Sequence, residues 1–156
     1  NIVKRLDQML PPYWSRDNPV DIVGENDFAI PLTAMEELMK WDGCDAVINL
    51  GIVGRRIMAN RMMDSVLKVD PAYTAEFLDE LRQALADFEQ KYIHHLIELM
   101  EQYPKPILGV SLAGQDAKTV YRAQGKRHQA VFYATPERAV MALAKMVEYQ
   151  CFQDHC

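Results

Sequence analysis

Few residues in this chain could do chemistry, and their spacing argues against the usual chemistries. His94 and His95 are adjacent in a helical pattern, about 100° apart around the axis, so they cannot close on one metal ion from a single face. His128 follows Lys126 and Arg127 in a loop-like stretch with the composition of a solvated basic turn. Ser111 stands in SLAG, outside the G-x-S-x-G elbow of hydrolases, and the chain has no G-x-x-x-x-G-K-[ST] phosphate loop. Cys44, Cys151 and Cys156 lack metal-site spacing; an odd, scattered set of this kind suits a reducing compartment, and Cys151 and Cys156 read as terminal thiols. Met58, Met62 and Met63 fall at helical spacing and read as core filler. No catalytic residue and no metal site emerges.

One segment remains, Gly51-Ile52-Val53-Gly54-Arg55. An apolar run ends there and a helical pattern begins, so the unpaired amides and partial positive charge of a helix start would face any anion placed beside it. Two glycines at such a junction equally serve a tight bend with no ligand at all. Both readings stand on the residues alone.

The elements that would position this turn repeat a simple order. Val20 to Val23, Asp45 to Ile52, Ile107 to Leu112 and Ala130 to Ala134 read as short buried strands, and most lead through a glycine or a capping residue into a helical pattern. Helices are predicted over Asn1 to Met9, from Pro31 to the Asp42-Gly43 stop, over Gly54 to Lys68 and over Ala117 to Gln124. Thr135-Pro136-Glu137 opens a closing helix that is expected to bury Val140, Leu143, Ala144 and Val147. Strand, loop and helix in alternation describe an open, parallel α/β sheet. Ligands of such sheets meet the loops at the carboxyl ends of strands, here Gly24 to Asp27, Gly51 to Arg55, Ser111 to Gln115 and Thr135 to Glu137.

Ala72 to Tyr103 departs from this economy. Leu78, Leu81, Leu85, Phe88, Tyr92, Leu96, Leu99 and Tyr103 recur at threes and fours, and a helix of that span would reach roughly 45 Å, longer than short strands can cover. Its apolar stripe is therefore expected to meet a neighbouring domain or to drive self-association.

Composition narrows the function classes. The 156 residues, 49% hydrophobic, suit one soluble domain with its own core. A net charge of -5 and a pI near 5.3 offer no field for nucleic acid. No stretch approaches the roughly 20 apolar residues of a membrane span and no secretory signal opens the chain, so the expectation is a cytoplasmic protein without nucleic-acid or membrane partners. The first residue is Asn, which suggests that residues 1 to 156 are a piece of a larger multidomain chain.

Taken together, three segments carry a resemblance. LPPYWSRDNPVDIVG, DAVINLGIVGRR and TPERAVMALAKMVEY, in this order and spacing, resemble the L-P-P and N-P-V-D stretch, the strand with its glycine turn, and the closing S/T-P-E-x-A-V helix of NDP-forming acyl-CoA synthetases, relatives of succinyl-CoA synthetase. The resemblance implies a flavodoxin-like, three-layer α/β/α domain with a short parallel sheet, here with one unusually long helix. By the same resemblance the domain would be part of a ligase that makes acyl-CoA through an acyl phosphate and a phosphohistidine. It also implies that the histidine, the CoA site and the ATP/ADP and magnesium site lie in other domains, so that His94, His95, His128 and His155 inherit no catalytic role and this domain binds no cofactor. Gly51, Ile52, Val53, Gly54 and Arg55 would then face the phosphohistidine loop, and Asn18 and Asp21 would order the neighbouring loop. Two departures bear on substrate and partner geometry: Ser111-Leu112-Ala113-Gly114 replaces a tryptophan-methionine-glycine-glycine type turn, and the long helix exceeds the family's norm.

In the resembling domains a strand and most of a helix precede the segment matching Asn1 to Leu10. That strand lies between those matching Val20 to Val23 and Asp45 to Ile52. The sheet is therefore expected to close by pairing these two directly, or to take a strand from a second chain. The rival reading is a non-catalytic α/β interaction or oligomerisation module in which the glycine turn is only a bend. A flavin or nucleotide binder ranks last, because no hydroxyl-rich phosphate loop follows a strand.

Overall fold

In the computed structural model, which describes residues 1–23, 27–113 and 119–154, the helices are α1 (Ile2–Leu6), α2 (Ala29–Lys40), α3 (Arg55–Val69), α4 (Ala75–Gln102) and α5 (Pro136–Asp154). The strands are β1 (Val47–Leu50), β2 (Ile107–Val110), β3 (Val120–Arg122) and β4 (Gln129–Tyr133), joined in the order β1-β2-β4-β3. The β1–β2 and β2–β4 pairs are parallel, and β3 runs antiparallel to β4. This is the three-layer α/β/α arrangement expected.

Alternation along the strands sorts the two faces. Val47, Ile107, Ala130 and Phe132 point to one side, where Tyr92, Ile93, Leu96 and Ile97 of α4 and Met35 and Met39 of α2 complete the main core. Leu108 and Val110 point to the other and pack with Ala139 of α5, flanked by Ile48, Tyr133 and Leu143. Gly109 lets the sheet take a large ring: a Cβ there would run into the Phe132 side chain. A satellite core of Ile2, Leu6, Leu10, Trp14 and Ala34 seats α1 against α2.

Several expectations need correction. Val20 to Val23 is not a strand. Asp21 Oδ1 accepts the Val23 N–H at 2.8 Å, and Val23 takes φ 56, so the backbone turns where a ladder would need it extended. Val20, Ile22 and Val23 instead pack on the satellite core. The direct pairing with β1 consequently does not form, and among the described residues β1 has β2 as its single neighbour. Where a helix is predicted over Ala117 to Gln124, Val120 to Arg122 forms β3; residues 114–118 lie outside the described residues. Val and Tyr suit an extended strand, and β4 offers them an unpaired edge, which outweighs a short helix with little to bury.

The long helix forms as one piece of 28 residues, and most of its stripe is covered within the chain, with Leu81 exposed. Tyr92, Leu96 and Leu99 are buried in the main core, with Phe88 and Tyr103 packed against it. Beyond the sheet, Leu78 is buried where α4 runs beside α3. Because α3 packs on α4 rather than on the sheet, it buries Met63 alone, while Met58 and Met62 are exposed and are not core filler. In α5 the buried residue is Ala139; Val140, Ala144 and Val147 are exposed and only Leu143 of the expected set is half-buried. One helix face meets the sheet near its start, and the rest of α5 runs on past it.

Candidate functional site

The carboxyl end of β1 leads into α3 through the turn that the sequence singles out. Gly51 and Gly54 take φ 82 and 90, in the left-handed region that other residues enter at a cost. Their surroundings differ. A Cβ on Gly51 would find only Leu112 Cδ1 at 4.0 Å, whereas one on Gly54 would sit 2.5 Å from the Ala113 amide nitrogen and 2.7 Å from Ser111 Oγ. Gly51 thus answers the bend alone, and Gly54 answers both the bend and a close backbone approach.

That approach locks two carboxyl-end loops together. The Leu112 N–H donates to Val53 O at 3.0 Å, the Ser111 N–H to Tyr133 O at 2.9 Å, and the Ala113 N–H to Ser111 Oγ at 3.1 Å. Ser111 is buried and its hydroxyl serves its own turn, which is a structural use rather than that of a nucleophile. Ile52 and Val53 point into the core. Arg55 is exposed and, among the described residues, its side chain makes no hydrogen bond or ion pair.

The residue that completes the turn comes from α4. Glu89 is buried, with Oε2 accepting the Gly54 N–H at 2.7 Å and Oε1 accepting Arg56 Nε at 3.0 Å. A carboxylate in this place satisfies a buried amide and complements the positive end of α3. Beside it, Asn49 Nδ2 donates to Tyr92 Oη at 2.7 Å, and burial pushes the Tyr92 phenol far above its ordinary range. Burial, with the Glu89 charge second, also raises the Tyr121 phenol. A cavity of about 400 Å³ opens alongside, between the start of α2, α3 and α4, with Phe28, Arg55, Arg56, Met63, Leu85 and Glu89 among its walls.

Glu89 and Arg56 do not feature in the sequence reading. The signal for Glu89 was a carboxylate standing inside the apolar stripe, four residues after Leu85 and three before Tyr92, a position that on a covered helix face demands a partner. Asp21 Oδ1 accepts the Val23 N–H within its own segment, while the Asn18 side chain makes no hydrogen bond among the described residues. Neither is hydrogen-bonded to the glycine turn. Of the other carboxyl-end segments, Thr135 caps α5, and residues 24–26 and 114–115 lie outside the described residues. His94 is exposed on α4, His95 Nε2 donates to Leu32 O at 3.2 Å, and the His128 N–H donates to Glu101 Oε1 at 2.7 Å; His155 and Cys156 lie outside the described residues. Among the described residues no three His, Cys, Asp or Glu stand together as a metal site, and no helix is long and apolar enough to cross a membrane.

The chain is similar to a 4-hydroxybutyrate–CoA ligase (ADP-forming) of Nitrosopumilus maritimus (strain SCM1), with 24% identity over 149 residues, 96% of this chain. It spans only 17% of that ligase's length. No family model matches the chain, and no solved structure matches it. At this distance the likeness supports a domain of an ADP-forming acyl-CoA ligase at the level of the family only.

Proposed function

We propose that this chain is the flavodoxin-like domain of a cytoplasmic NDP-forming acyl-CoA synthetase, an acid-thiol ligase working through an acyl phosphate and a phosphohistidine. The observation that carries the reading is the likeness to an ADP-forming acyl-CoA ligase along nearly the whole chain. In this reading Gly51 to Arg55 present the start of α3 to a phosphohistidine loop supplied by another domain or subunit. CoA, the nucleotide and magnesium bind elsewhere in the complete enzyme. What this chain supplies is position: the two glycines bring the helix start to the carboxyl end of the sheet, and the amides of Arg55 and Arg56, in the first turn, have no helical partner and can meet a phosphoryl oxygen.

The complete enzyme tests this. Acid, CoA and ATP should yield acyl-CoA, and Gly54→Val should abolish turnover of the phosphorylated enzyme while the histidine is still phosphorylated. The 156-residue chain alone should take no phosphate from ATP. A stable phosphohistidine on this chain overturns the assignment. One observation favours the rival interaction module: the Gly54 amide is already taken by Glu89, as it would be in a turn that serves only as a bend. A complete enzyme indifferent to Gly54→Val, with the fold intact, would select that reading.

A further inference from the structure

The cavity of about 400 Å³ between the start of α2, α3 and α4 has the size of a small-molecule site, which typically spans roughly 300 to 1,000 Å³. It also has the lining of one. Ile52, Met63, Leu81, Leu85, Phe28 and Phe88 supply its apolar walls, and the two phenyl rings stack with centroids 4.4 Å apart. Phe28 and Leu81 keep apolar surface in contact with water, so a ligand with an apolar body removes water from both partners when it enters.

Four charged residues, Asp27, Arg55, Arg56 and Glu89, stand on the same walls. Three of them have partners. Glu89 accepts from the Gly54 N–H and from Arg56 Nε, and Asp27 Oδ1 accepts the Ala29 N–H at 2.8 Å, where the positive end of α2 complements its charge. The Arg55 side chain makes no hydrogen bond or ion pair among the described residues. We propose that this cavity binds a small amphipathic monocarboxylate, with its apolar body among Met63, Leu85 and Phe88 and its carboxylate on the Arg55 guanidinium. A guanidinium can grip a planar carboxylate through two parallel N–H···O bonds. One spare cation matches one negative charge, whereas a doubly charged anion gains no second partner and meets Asp27 and Glu89 on the same walls. The site is built from side chains of three elements rather than from the amides that open α3, and it goes beyond the ligase reading without depending on it.

Hydrocinnamate and its neutral amide, hydrocinnamamide, titrated separately into the isotopically labelled 156-residue chain, test the apolar and the charged half of the site. The acid should bind with a dissociation constant of about 1 mM or below, and the amide at least about fivefold more weakly. The largest shifts should fall on the methyl groups of Ile52, Met63 and Leu85, with Arg55 Nε moving for the acid alone. Arg55→Gln should lower the acid to the affinity of the amide and leave the amide unchanged. Ala59→Leu places a larger side chain on the cavity wall and should weaken both ligands at least about threefold. Acetate and inorganic phosphate carry the charge without the apolar body and should bind at least about tenfold more weakly than hydrocinnamate. The proposal is overturned by equal binding of acid and amide, by an unchanged acid affinity in R55Q or in folded A59L, or by phosphate or acetate binding as well as the acid. Shifts spread away from the cavity, or no acid binding at about 10 mM, overturn it equally. Should A59L fail to fold, R55Q against the two ligands still decides. Acyl-CoA formation is not read in this experiment, so its outcome is separate from that of the proposed function.

Discussion

Two helices of this protein start at the carboxyl ends of neighbouring parts of the same sheet, and they are capped in opposite ways. α5 follows β4 with a local cap: Thr135 Oγ1 accepts the Arg138 N–H at 3.4 Å, Pro136 opens the first turn, and Glu137 lies beside its own amide and the Thr135 hydroxyl, which hold its carboxyl below the usual range. α3 follows β1 with no side-chain cap from its own segment. Its start is made by two left-handed glycines and by Glu89, 35 residues further along the chain. A cap that is local can be changed without disturbing the rest of the fold. A cap borrowed from another helix ties the turn to the packing of the whole α3–α4 pair.

The sharpest way to break this contrast is Gly54→Ala. The new Cβ meets backbone at 2.5 Å and the residue must hold φ 90, so crowding and left-handed strain add to about 3 kcal/mol. Urea unfolding should show a loss of that size together with disturbed amide signals at Leu112 and Ala113; a loss under about 1 kcal/mol would mean that the two loops are not locked together.

Glu89→Ala should come next, at about 2 kcal/mol, chiefly because the buried Gly54 N–H loses its acceptor. The Arg56 ion pair adds little, since that side chain is 47% exposed. Hydrogen exchange should accelerate at the start of α3 and leave the start of α5 unchanged; equal acceleration at both would show that the two caps are not independent.

Gly51→Ala measures the bend without the crowding and is expected to cost about 1 to 2 kcal/mol, clearly less than the same change at Gly54. If the two glycines cost the same, close approach to Ser111 and Ala113 is not what distinguishes them. Thr135→Ala should cost about 1 kcal/mol or less, the ordinary loss of a helix cap across a long bond, with no effect transmitted to α3.

The smallest effect concerns acid. Because the folded Glu137 carboxyl lies below its unfolded value, its contribution is complete above the ordinary carboxylate range and is lost as pH falls through the lowered folded value. Denaturation curves of wild type and Glu137→Gln should therefore differ slightly near neutral pH and converge in acid; divergence on acidification would contradict the sign.

Much of the architecture is legible in the sequence, for a definite reason in each place. β1, β2 and β4 appear within a residue or two of their apolar runs because short continuous Val, Ile and Leu segments bounded by turn signals suit buried parallel strands, with β1 at the edge of the described sheet. The start of α5 was readable from Thr135, Pro136 and Glu137 because capping acts over three or four residues. The two wrong elements failed for one local and one tertiary reason. Val20 to Val23 has strand composition, but Asp21 bonds its own backbone and the side chains find the satellite core, so no ladder is offered. Val120 to Arg122 became a strand because β4 presented a free edge, which no local pattern announces.

The candidate site divides along the same line. The sequence by itself determined that a glycine turn would stand between a buried strand and a helix, since an apolar run, two glycines and a helical period require little beyond covalent geometry and burial. It also determined that no nearby hydroxyl or carboxylate would cap that helix. Only the tertiary structure decided which of the two glycines is crowded, that the loops after β1 and β2 interlock, and that Glu89 supplies the missing acceptor. Those are contacts between segments 35 and more residues apart, and the pairing is set by how α4 lies across the sheet and against α3, a matter of packing that no periodicity within α4 encodes.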